Sequence, residues 1–421
     1  LVIGGILILV AVILLAVWAG QQVAADDTDS APRAFVEMPK GWRVERNISV
    51  PSAQLDQFSK RLGANIVSLD NTFIRDGDRR LQVNVIGCRS AEDARKVYAA
   101  LRPSKGNSHQ MVRRDQQIFE FVCRTPDDMR FAIEAQYRLP IRPRSVTYRV
   151  NFDAAPIASG DPMLWNSMFN LCLQHRAQPE NQDVAQRLSS MAEKFEFGSD
   201  IDLYFAQQEP KWSFDPAPQT NTAIGGGRRF RFGELPLQST IPFVRVEGTV
   251  RVTTFSTQRV EPRSRDDYLQ PTPWWPVDHV EIAKLAQEIT GAARDDGDKL
   301  IALLAWFQDS QNFRFAGQTG SRYGVLKALG QRHGHCWDYA DLFVTLARAG
   351  GLPCREVMGW LHEGEGHVWC EVAVGSHWRQ VDPSSGYACG SDYVPLVVSN
   401  NGDMSLLYVS SVSVDVIRES F

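Results

Sequence analysis

Hydrophobic residues are most concentrated at the start of the chain, where Leu1–Trp18 contains no charged side chain. With about 1.5 Å of rise per residue, this stretch would make a helix of roughly 27 Å, close to the ~30 Å hydrocarbon core of a bilayer. We predict a single transmembrane helix over residues 1–20, with residues 1–18 in contact with lipid and the soluble body extracytoplasmic, either periplasmic or extracellular. A cleaved signal peptide is the alternative, because Val23-Ala24-Ala25 is typical of a cleavage site.

Regular patterns of apolar residues resume after a small, acidic stretch over residues 21–35, which we interpret as a linker. A helix is indicated where Ser90 precedes an acidic first turn, and a second one over residues 183–195. Three segments have the alternation or composition of strands: residues 81–86, 117–123 and 145–152. Together these elements predict an α+β domain of unknown role over residues 36–207.

The pattern becomes rich in strands and prolines over residues 208–276. Residues 243–252 alternate in polarity, which predicts a long half-buried strand. Prolines at positions 271, 273 and 276 cannot continue a helix or a central strand. We interpret residues 208–276 as a β-rich connecting region and predict a further domain over residues 277–421.

Helical spacing is clearest after this boundary. Asp278 and Glu281 have capping-box spacing ahead of an apolar helical face that stops at Gly291, and a second helix is predicted over residues 299–308. A third helix is predicted to begin at Cys336 and to end at Gly350-Gly351. Its apolar residues recur at helical spacing: Ala340, Phe343, Val344 and Ala347.

Composition narrows the class of protein. The chain has 421 residues, 43% of them hydrophobic, which indicates a globular protein of more than one domain. Its 45 basic and 49 acidic residues leave a net charge of -4, so a nucleic acid is excluded as the main partner. Seven cysteines are an odd number, so at least one thiol is left outside any set of disulfides within the chain.

Cys336 is the candidate nucleophile. In the first turn of its predicted helix, free backbone N–H groups and the helix dipole favour an anion, here a thiolate. An ordinary thiol has a pKa of about 8.5, and each unit of lowering requires ~1.4 kcal/mol of preferential stabilisation. Gly334, two residues earlier, permits a close turn into the helix.

Two strands joined by Gly375-Ser376 carry the other candidates. If the loop is those two residues, position 374 pairs with 377, and His367 and Asp382 lie on one face as diagonal neighbours. A carboxylate there can orient the imidazole. A three-residue loop would turn Asp382 to the opposite face.

Three segments together resemble the transglutaminase-like superfamily over about residues 277–390. Gly334–Ala340 (GHCWDYA) is similar to its nucleophile segment, His367–Val372 (HVWCEV) to its histidine strand, and Trp378–Ser384 (WRQVDPS) to its aspartate strand. Further matching positions follow the nucleophile segment: Arg348, Gly351-Leu352-Pro353, Arg355 and Gly359. The order Cys, His, Asp and the separations of 31 and 15 residues suit that family. Gly350 and Cys354 depart from residues often found there, and these changes concern packing.

The resemblance implies a papain-like α+β fold and a Cys336–His367–Asp382 catalytic triad. It also implies amide hydrolysis or acyl transfer through a thioester, with a protein or peptide as substrate and no cofactor. The Cys336 backbone N–H is the expected oxyanion donor, with Trp306 as a candidate for the second. Trp337, Tyr339 and Trp369 either line the cleft or pack in the core.

Two alternatives remain open. A zinc site is one, because histidines and cysteines are crowded within 38 residues, although Cys-x-x-Cys and His-Glu-x-x-His spacings do not occur. These residues are His333, His335, Cys336, Cys354, His362, His367 and Cys370. The other is a non-enzymatic accessory or scaffolding subunit, bound to other subunits of a membrane complex. Within the enzyme interpretation, the sequence leaves hydrolysis and transamidation equally open.

Overall fold

The structure, a computed structural model, describes most of the chain beyond residue 37. The predicted transmembrane helix over residues 1–20 lies outside the described residues, as does the predicted linker apart from Phe35. Among the helices that are described, none is both long and apolar enough to cross a membrane. The described residues are 35, 38–105, 109–114, 116–139, 145–161, 164–204, 211–224, 227–238, 240–253, 260, 265–361, 365–389 and 393–420.

Contacts divide the chain into two units, with the division between residues 143 and 144. The described residues of unit 1, before the division, form an antiparallel sheet of five strands in the order β1-β2-β3-β5-β4, together with three helices. Its elements are β1 (Trp42–Ser49), α1 (Ser52–Leu62), β2 (Ile66–Asp76), β3 (Arg79–Cys88), α2 (Ala91–Lys105), β4 (His109–Arg114), β5 (Gln117–Val122) and α3 (Pro126–Arg138).

Local sequence explains much of unit 1. The loop between β2 and β3 contains Gly77, whose φ of 58° suits a residue without Cβ. Ser90 caps α2, because its hydroxyl accepts the Asp93 backbone N–H at 3.0 Å, which confirms the predicted helix start. The predicted strands at 81–86 and 117–123 are confirmed as β3 and β5. A core cluster from α1, α2 and the sheet includes Leu55, Leu69, Ile86, Val97, Met111 and Ile118.

Unit 2 also mixes helices and strands, so the predicted α+β class is confirmed for the described residues. Its first elements are β6 (Ser145–Gly160), α4 (Trp165–Ala177), α5 (Gln182–Ala192), β7 (Phe195–Phe197), β8 (Asp200–Tyr204), β9 (Lys211–Asp215), β10 (Thr220–Ile224), β11 (Gly227–Arg231), β12 (Leu237–Gln238), β13 (Ile241–Pro242), β14 (Val244–Thr253) and a 3-10 helix at Asp267–Leu269. The later elements are α6 (Val280–Thr290), α7 (Asp296–Gln308), β15 (Arg314–Phe315), α8 (Val325–Gln331), β16 (His333–Gly334), α9 (Cys336–Ala349), β17 (Cys354–Leu361), β18 (Gly366–Val374), β19 (His377–Asp382), β20 (Tyr387–Ala388), β21 (Tyr393–Ser399), β22 (Leu406–Tyr408) and β23 (Ser413–Ser420).

Strand β6 is the centre of the first sheet of unit 2. It pairs with β14 on one side and with β22 and β23 on the other, and β9 continues the sheet beyond β14. Because all of its described partners, including β7, lie beyond residue 144, β6 belongs to unit 2. The observed division therefore falls inside the domain predicted over residues 36–207. The predicted strand at 243–252 is confirmed, one residue shifted, as β14.

A second sheet of unit 2 has the order β20-β19-β18-β17-β21, and its described ladders are antiparallel. Helix α9 packs against β17 and β18, with α6, α7 and α8 around it. Nearly every residue of α9 is buried, including polar ones, so its burial extends beyond the single apolar face that the spacing predicted. This arrangement brings the amino end of α9 to the sheet that carries the predicted His367 and Asp382.

The proline-rich segment before α6 is part of this packing. Trp275 is completely buried, and its indole N–H donates to Asp341 Oδ1 on α9 at 2.8 Å. Arg322 is also buried and donates to both carboxylate oxygens of Asp341, at 2.6 and 2.7 Å. The predicted capping box at Asp278 is wrong. Turns that begin at Pro276 move the start of the helix one residue along the chain. His279, and not Asp278, therefore occupies the N-cap, and it makes no side-chain cap hydrogen bond.

Candidate active site

The amino end of α9 positions Cys336 in the first turn, as predicted. Strand β16 runs directly into the helix, and a Cβ on Gly334 would lie 2.3 Å from the Asp338 Cβ, so glycine is required for this approach. The buried Asp338 carboxylate accepts the backbone N–H of His335 at 3.0 Å and that of Tyr323 at 2.6 Å. These bonds fix the backbone immediately before the nucleophile, which is half-buried.

The hairpin of β18 and β19 has the predicted register. Val374 pairs with His377 and Cys370 with Val381, so the loop is Gly375-Ser376. Gly375 has a φ of 60°, a conformation that favours glycine. His367 Nε2 lies 2.9 Å from Asp382 Oδ2, so the predicted contact between the two side chains is present.

Asp382 is held by more donors than the sequence indicated. Its Oδ1 accepts the backbone N–H of Ser384 at 2.9 Å and the Ser384 hydroxyl at 2.7 Å. Its Oδ2 accepts the hydroxyls of Ser385 at 2.9 Å and Tyr393 at 2.7 Å, in addition to His367. Serines two and three residues after an aspartate are a recognisable turn signal, whereas Tyr393 comes from β21 and has no local signal.

Gly359 on β17 provides the space for this arrangement. It pairs with His367 on one side and with Pro395 on the other, between the two strands that carry His367 and Tyr393. A Cβ at this position would lie 2.0 Å from the Val394 carbonyl oxygen and 2.8 Å from the Trp369 ring. The Trp369 ring stacks near His367, with 6.2 Å between centroids, and its N–H donates to Gln380.

The charged forms of Cys336, His367 and Asp382 stabilise one another. Burial by itself raises the pKa of Cys336, but hydrogen bonds from His335 and His367 outweigh it and lower that pKa to about 6. Burial by itself lowers the pKa of His367, but Asp382 and the Cys336 sulfur raise it to about 10. For Asp382, the effect of burial is outweighed by His367, Ser384 and Tyr393, which hold its pKa well below its usual range. Between about pH 6 and pH 10, the site therefore holds a thiolate–imidazolium pair next to a carboxylate.

Sequence reasoning missed His335 as a group that lowers the pKa of the nucleophile. It directly precedes Cys336, and its imidazole is one of the groups that lower the pKa of the Cys336 thiol. Its ring packs on Phe315, with 4.2 Å between centroids. A histidine beside a cysteine was a visible signal, but the direction of its side chain depends on β15, which pairs with β16 through Phe315 and Gly334.

The four aromatic candidates are buried or half-buried. Trp337, Tyr339 and Trp369 are buried, which places them in the core, and Trp306 is half-buried against Phe307. Among the described residues, no three His, Cys, Asp or Glu side chains converge as metal ligands. His362, one of the zinc candidates, lies outside the described residues.

A buried ion pair lies further along the same sheet. Arg355 on β17 donates to Glu371 on β18 at 2.8 Å, and both side chains are almost completely inaccessible to solvent. The Tyr204 hydroxyl from β8 also donates to Glu371, and Gln380 donates to it at 3.2 Å. Arg355 additionally lies over the Trp378 ring, 4.2 Å from its centroid.

Comparison with known proteins agrees with this geometry. Residues 283–383 match the transglutaminase-like superfamily. An uncharacterised protein of Mycobacterium leprae is 29% identical over 147 residues, which cover 32% of this chain and 51% of that protein. The chain therefore spans about half the length of this curated relative.

Two solved structures are also similar. One, from Cytophaga hutchinsonii and described as a proposed cysteine protease, has 14% identity and a TM-score of 0.41, covering 66% of this chain and 92% of that one. The other, the periplasmic domain of TgpA from Pseudomonas aeruginosa, has 17% identity and a TM-score of 0.32, covering 63% and 95%. The sequence match, and not these distant likenesses, carries the assignment: this chain contains a transglutaminase-like superfamily domain at residues 283–383.

Proposed function

We propose that this chain is a cysteine-dependent enzyme that hydrolyses or transfers an amide acyl group of a protein or peptide through a thioester on Cys336. The observation that carries the proposal is the Cys336–His367–Asp382 constellation with its thiolate–imidazolium pair. An ordinary buried cysteine has no reason to be ionised, since burial alone raises its pKa. A lowered pKa next to a histidine oriented by a carboxylate is the arrangement that nucleophilic catalysis requires.

The chemistry follows from the positions of these groups. The Cys336 thiolate attacks the amide carbonyl carbon, and the carbonyl electron pair moves to oxygen. His367 then gives its proton to the leaving nitrogen, the C–N bond breaks, and an amine departs from the thioester. Water or a second amine attacks the thioester, His367 takes its proton, and the thiolate leaves with an acid or a new amide as product. Asp382 holds the imidazole in orientation and stabilises its charged form.

The amino end of α9 also supplies an oxyanion donor. N–H groups in the first turn of a helix have no acceptor within the helix and point along its axis. The Cys336 N–H is one of them, next to the sulfur that attacks. It is therefore suited to donate to the oxygen on which negative charge develops.

Alkylation of the chain with iodoacetamide, followed residue by residue with mass spectrometry, tests this proposal. We expect Cys336 to be labelled at pH 6, with a rate that rises through a midpoint of about pH 6 and then remains level up to about pH 10. The six other cysteines are internal controls because all are buried, and burial raises the pKa of Cys88 to about 11 and those of Cys123 and Cys172 to about 12.

The same experiment includes a search for turnover. A mixture of peptide amides is incubated with the wild-type chain and with Cys336→Ala, and an acyl adduct is expected on Cys336 of the wild type alone. A labelling midpoint near the ~8.5 of an ordinary thiol would contradict the proposal. Absence of an adduct from every peptide, with the midpoint at about 6, would instead favour an accessory role for the domain.

We also propose that residues 1–18 anchor the chain in a membrane and leave the enzyme extracytoplasmic. The support is the absence of charge over a length that matches the hydrocarbon core. Extraction of membranes with alkaline carbonate is expected to leave the wild-type chain in the pellet. Leu9→Arg, which puts a charge near the centre of the segment, is expected to release much of it. Equal extraction of both chains would contradict the proposal.

A further inference from the structure

The Tyr408 hydroxyl lies beside the strand that carries His367. Tyr408 is the last residue of β22, in the first sheet of unit 2, where it pairs with Ala154 of β6. A Cβ added to Gly366, which directly precedes His367 on β18, would lie 2.4 Å from the Tyr408 hydroxyl oxygen. The residue before His367 must therefore be small for this hydroxyl to come so close to β18. The mechanism above gives Tyr408 no task.

The hydroxyl is on the face of β18 that packs against α9. Cys370 of β18 points to that face, because its thiol donates to the Ala340 carbonyl of α9 at 3.6 Å. Side chains alternate along a strand, so a Cβ on Gly366 would point to the same face as Cys370. The Tyr408 hydroxyl, which lies where that Cβ would be directed, is therefore on the side of β18 that the nucleophile helix covers.

Aromatic side chains hold the Tyr408 ring in place. Phe169 of α4 packs edge-on against it, with 4.9 Å between centroids, and Trp360 of β17 is 6.2 Å away. Trp360 in turn packs on Phe152 of β6, at 4.8 Å. A ring held by such packing keeps its direction when substrate enters. Tyr408 and Phe169 are both half-buried, so part of this aromatic pair remains exposed.

The Tyr408 hydroxyl is a donor with an unused proton. Among the described residues, none makes a hydrogen bond with it. Burial raises the pKa of Tyr408 to about 12, and the charges of Cys336 and Glu365 act in the same direction. The hydroxyl therefore keeps its proton over the range, about pH 6 to pH 10, in which Cys336 is a thiolate beside an imidazolium. A fixed hydroxyl of this kind is suited to bind an oxygen atom of a ligand.

We infer that Tyr408 is a substrate-binding residue, whose hydroxyl donates a hydrogen bond to a carbonyl oxygen of the peptide bound beside His367. This inference rests on the proposed function and adds to it a residue outside the segment that matches the superfamily, residues 283–383. A peptide offers a carbonyl acceptor at every residue. Phe169, against the same ring, offers an apolar contact to a substrate side chain. Tyr408 keeps its proton throughout, so the proton balance of the reaction does not change.

The test compares two kinds of probe that alkylate Cys336 in the full chain. Iodoacetamide reports the thiolate, whereas a mixture of tripeptide chloromethyl ketones reports in addition the binding of a peptide backbone. Tyr408→Phe keeps the ring against Phe169 but has no hydroxyl. In this variant, alkylation by the peptide probes is expected to slow about fivefold to tenfold, the effect of one hydrogen bond. Its iodoacetamide rate is expected to change less than about twofold, with the midpoint still at about pH 6.

Tyr268→Phe is the matched control. It removes a tyrosine hydroxyl from a cluster that contains Trp378 and Ala373, at the other end of β18. Neither kind of probe is expected to react at a different rate with this variant.

Gly366→Ala is a second, independent change, because its methyl group takes the place of the Tyr408 hydroxyl oxygen. The peptide probes are expected to slow by a similar factor. In the double variant with Tyr408→Phe they are expected to slow no further, since both changes remove the same contact.

Two results would overturn this inference alone, given a wild-type midpoint of about 6. One is an unchanged rate of the peptide probes in Tyr408→Phe. The other is an equal slowing of both kinds of probe, which would mean that Tyr408 acts on Cys336 through packing. A wild-type midpoint near that of an ordinary thiol would overturn the proposed function itself.

Discussion

The Asp382 carboxylate shows how single residues set the chemistry of this site. Hydrogen bonds from Ser384, Ser385 and Tyr393 compensate its burial, so it remains charged beside His367. That charge is the main factor that raises the pKa of His367 against the effect of burial. The ionisation of Cys336 thus depends on groups that do not touch the sulfur.

Asp382→Asn is expected to remove the negative charge beside His367 with little change in the shape of the side chain. The pKa of His367 should fall towards or below its ordinary value, so the imidazolium, and with it the thiolate, is lost at neutral pH. We expect acyl-adduct formation on Cys336 to slow by about 10³-fold or more, and the alkylation midpoint to move upward. Tyr393→Phe, which removes one donor but keeps the charge, is expected to slow adduct formation less than tenfold. Wild-type profiles for Asp382→Asn would show that the carboxylate has no such role.

The sequence predicted those residues of the site that act within short segments. Cys336 follows a glycine at a helix start, and His367 and Asp382 face each other across a two-residue loop. The contacts of Ser384 and Ser385 with Asp382 follow a known turn pattern, but sequence reasoning overlooked them. Tyr393 was beyond sequence reasoning, because its contact with Asp382 depends on β21 lying beside β17 and on the absence of a side chain at Gly359.

At the scale of elements, the closeness of β17 to its neighbours rests on Gly359. Gly359→Ala places a methyl group against the Val394 carbonyl, which belongs to the backbone and cannot turn aside. We expect a loss of about 1–3 kcal/mol in the free energy of unfolding, measured by urea denaturation. Gly330→Ala in α8 is the matched control, because no heavy atom lies within 4 Å of the added Cβ. That variant is expected to be neutral or stabilised by up to ~1 kcal/mol. Equal stability of the two variants would show that β17 and β21 separate easily.

Element prediction succeeded where one local rule was sufficient. The hairpin register followed from loop length and side-chain alternation, and α9 followed from apolar spacing ending at glycine. It failed at α6, where the capping box of Asp278 competes with turns that begin at Pro276. Those turns move the helix start by one residue, and a capping box one residue out of place forms no cap.

For the molecule as a whole, Tyr204 and the Arg355–Glu371 pair connect β8 to the sheet of the candidate active site. Glu371→Ala leaves the Arg355 guanidinium buried without its carboxylate, and we expect a loss of about 3–5 kcal/mol in unfolding free energy. Glu288→Ala removes an exposed carboxylate that is 3.9 Å from Lys284 on α6, so a change below about 0.5 kcal/mol is expected. Chemical denaturation of both variants measures the difference. A Glu371→Ala chain as stable as this control would mean that water reaches Arg355.

Organisation over long distances was the hardest part to predict. The division between the units follows from the partners of β6, and alternation within residues 145–152 does not reveal those partners. Prolines at 271, 273 and 276 were correctly interpreted as interrupting regular structure. The structure adds that this interruption is packed, because Trp275 is buried against α9 through its bond to Asp341.

The position of β6 has a consequence for synthesis on the ribosome. Residues 145–160 are translated well before β22 and β23, which cover one side of β6 and lie at Leu406–Tyr408 and Ser413–Ser420. Among the described strands, that edge of β6 therefore has no partner until residues 406–420 are made, whereas His367 and Asp382 can meet as soon as their hairpin is made. An uncovered strand edge is where nascent chains pair wrongly with one another. Strands β22 and β23 thus protect a segment translated long before them.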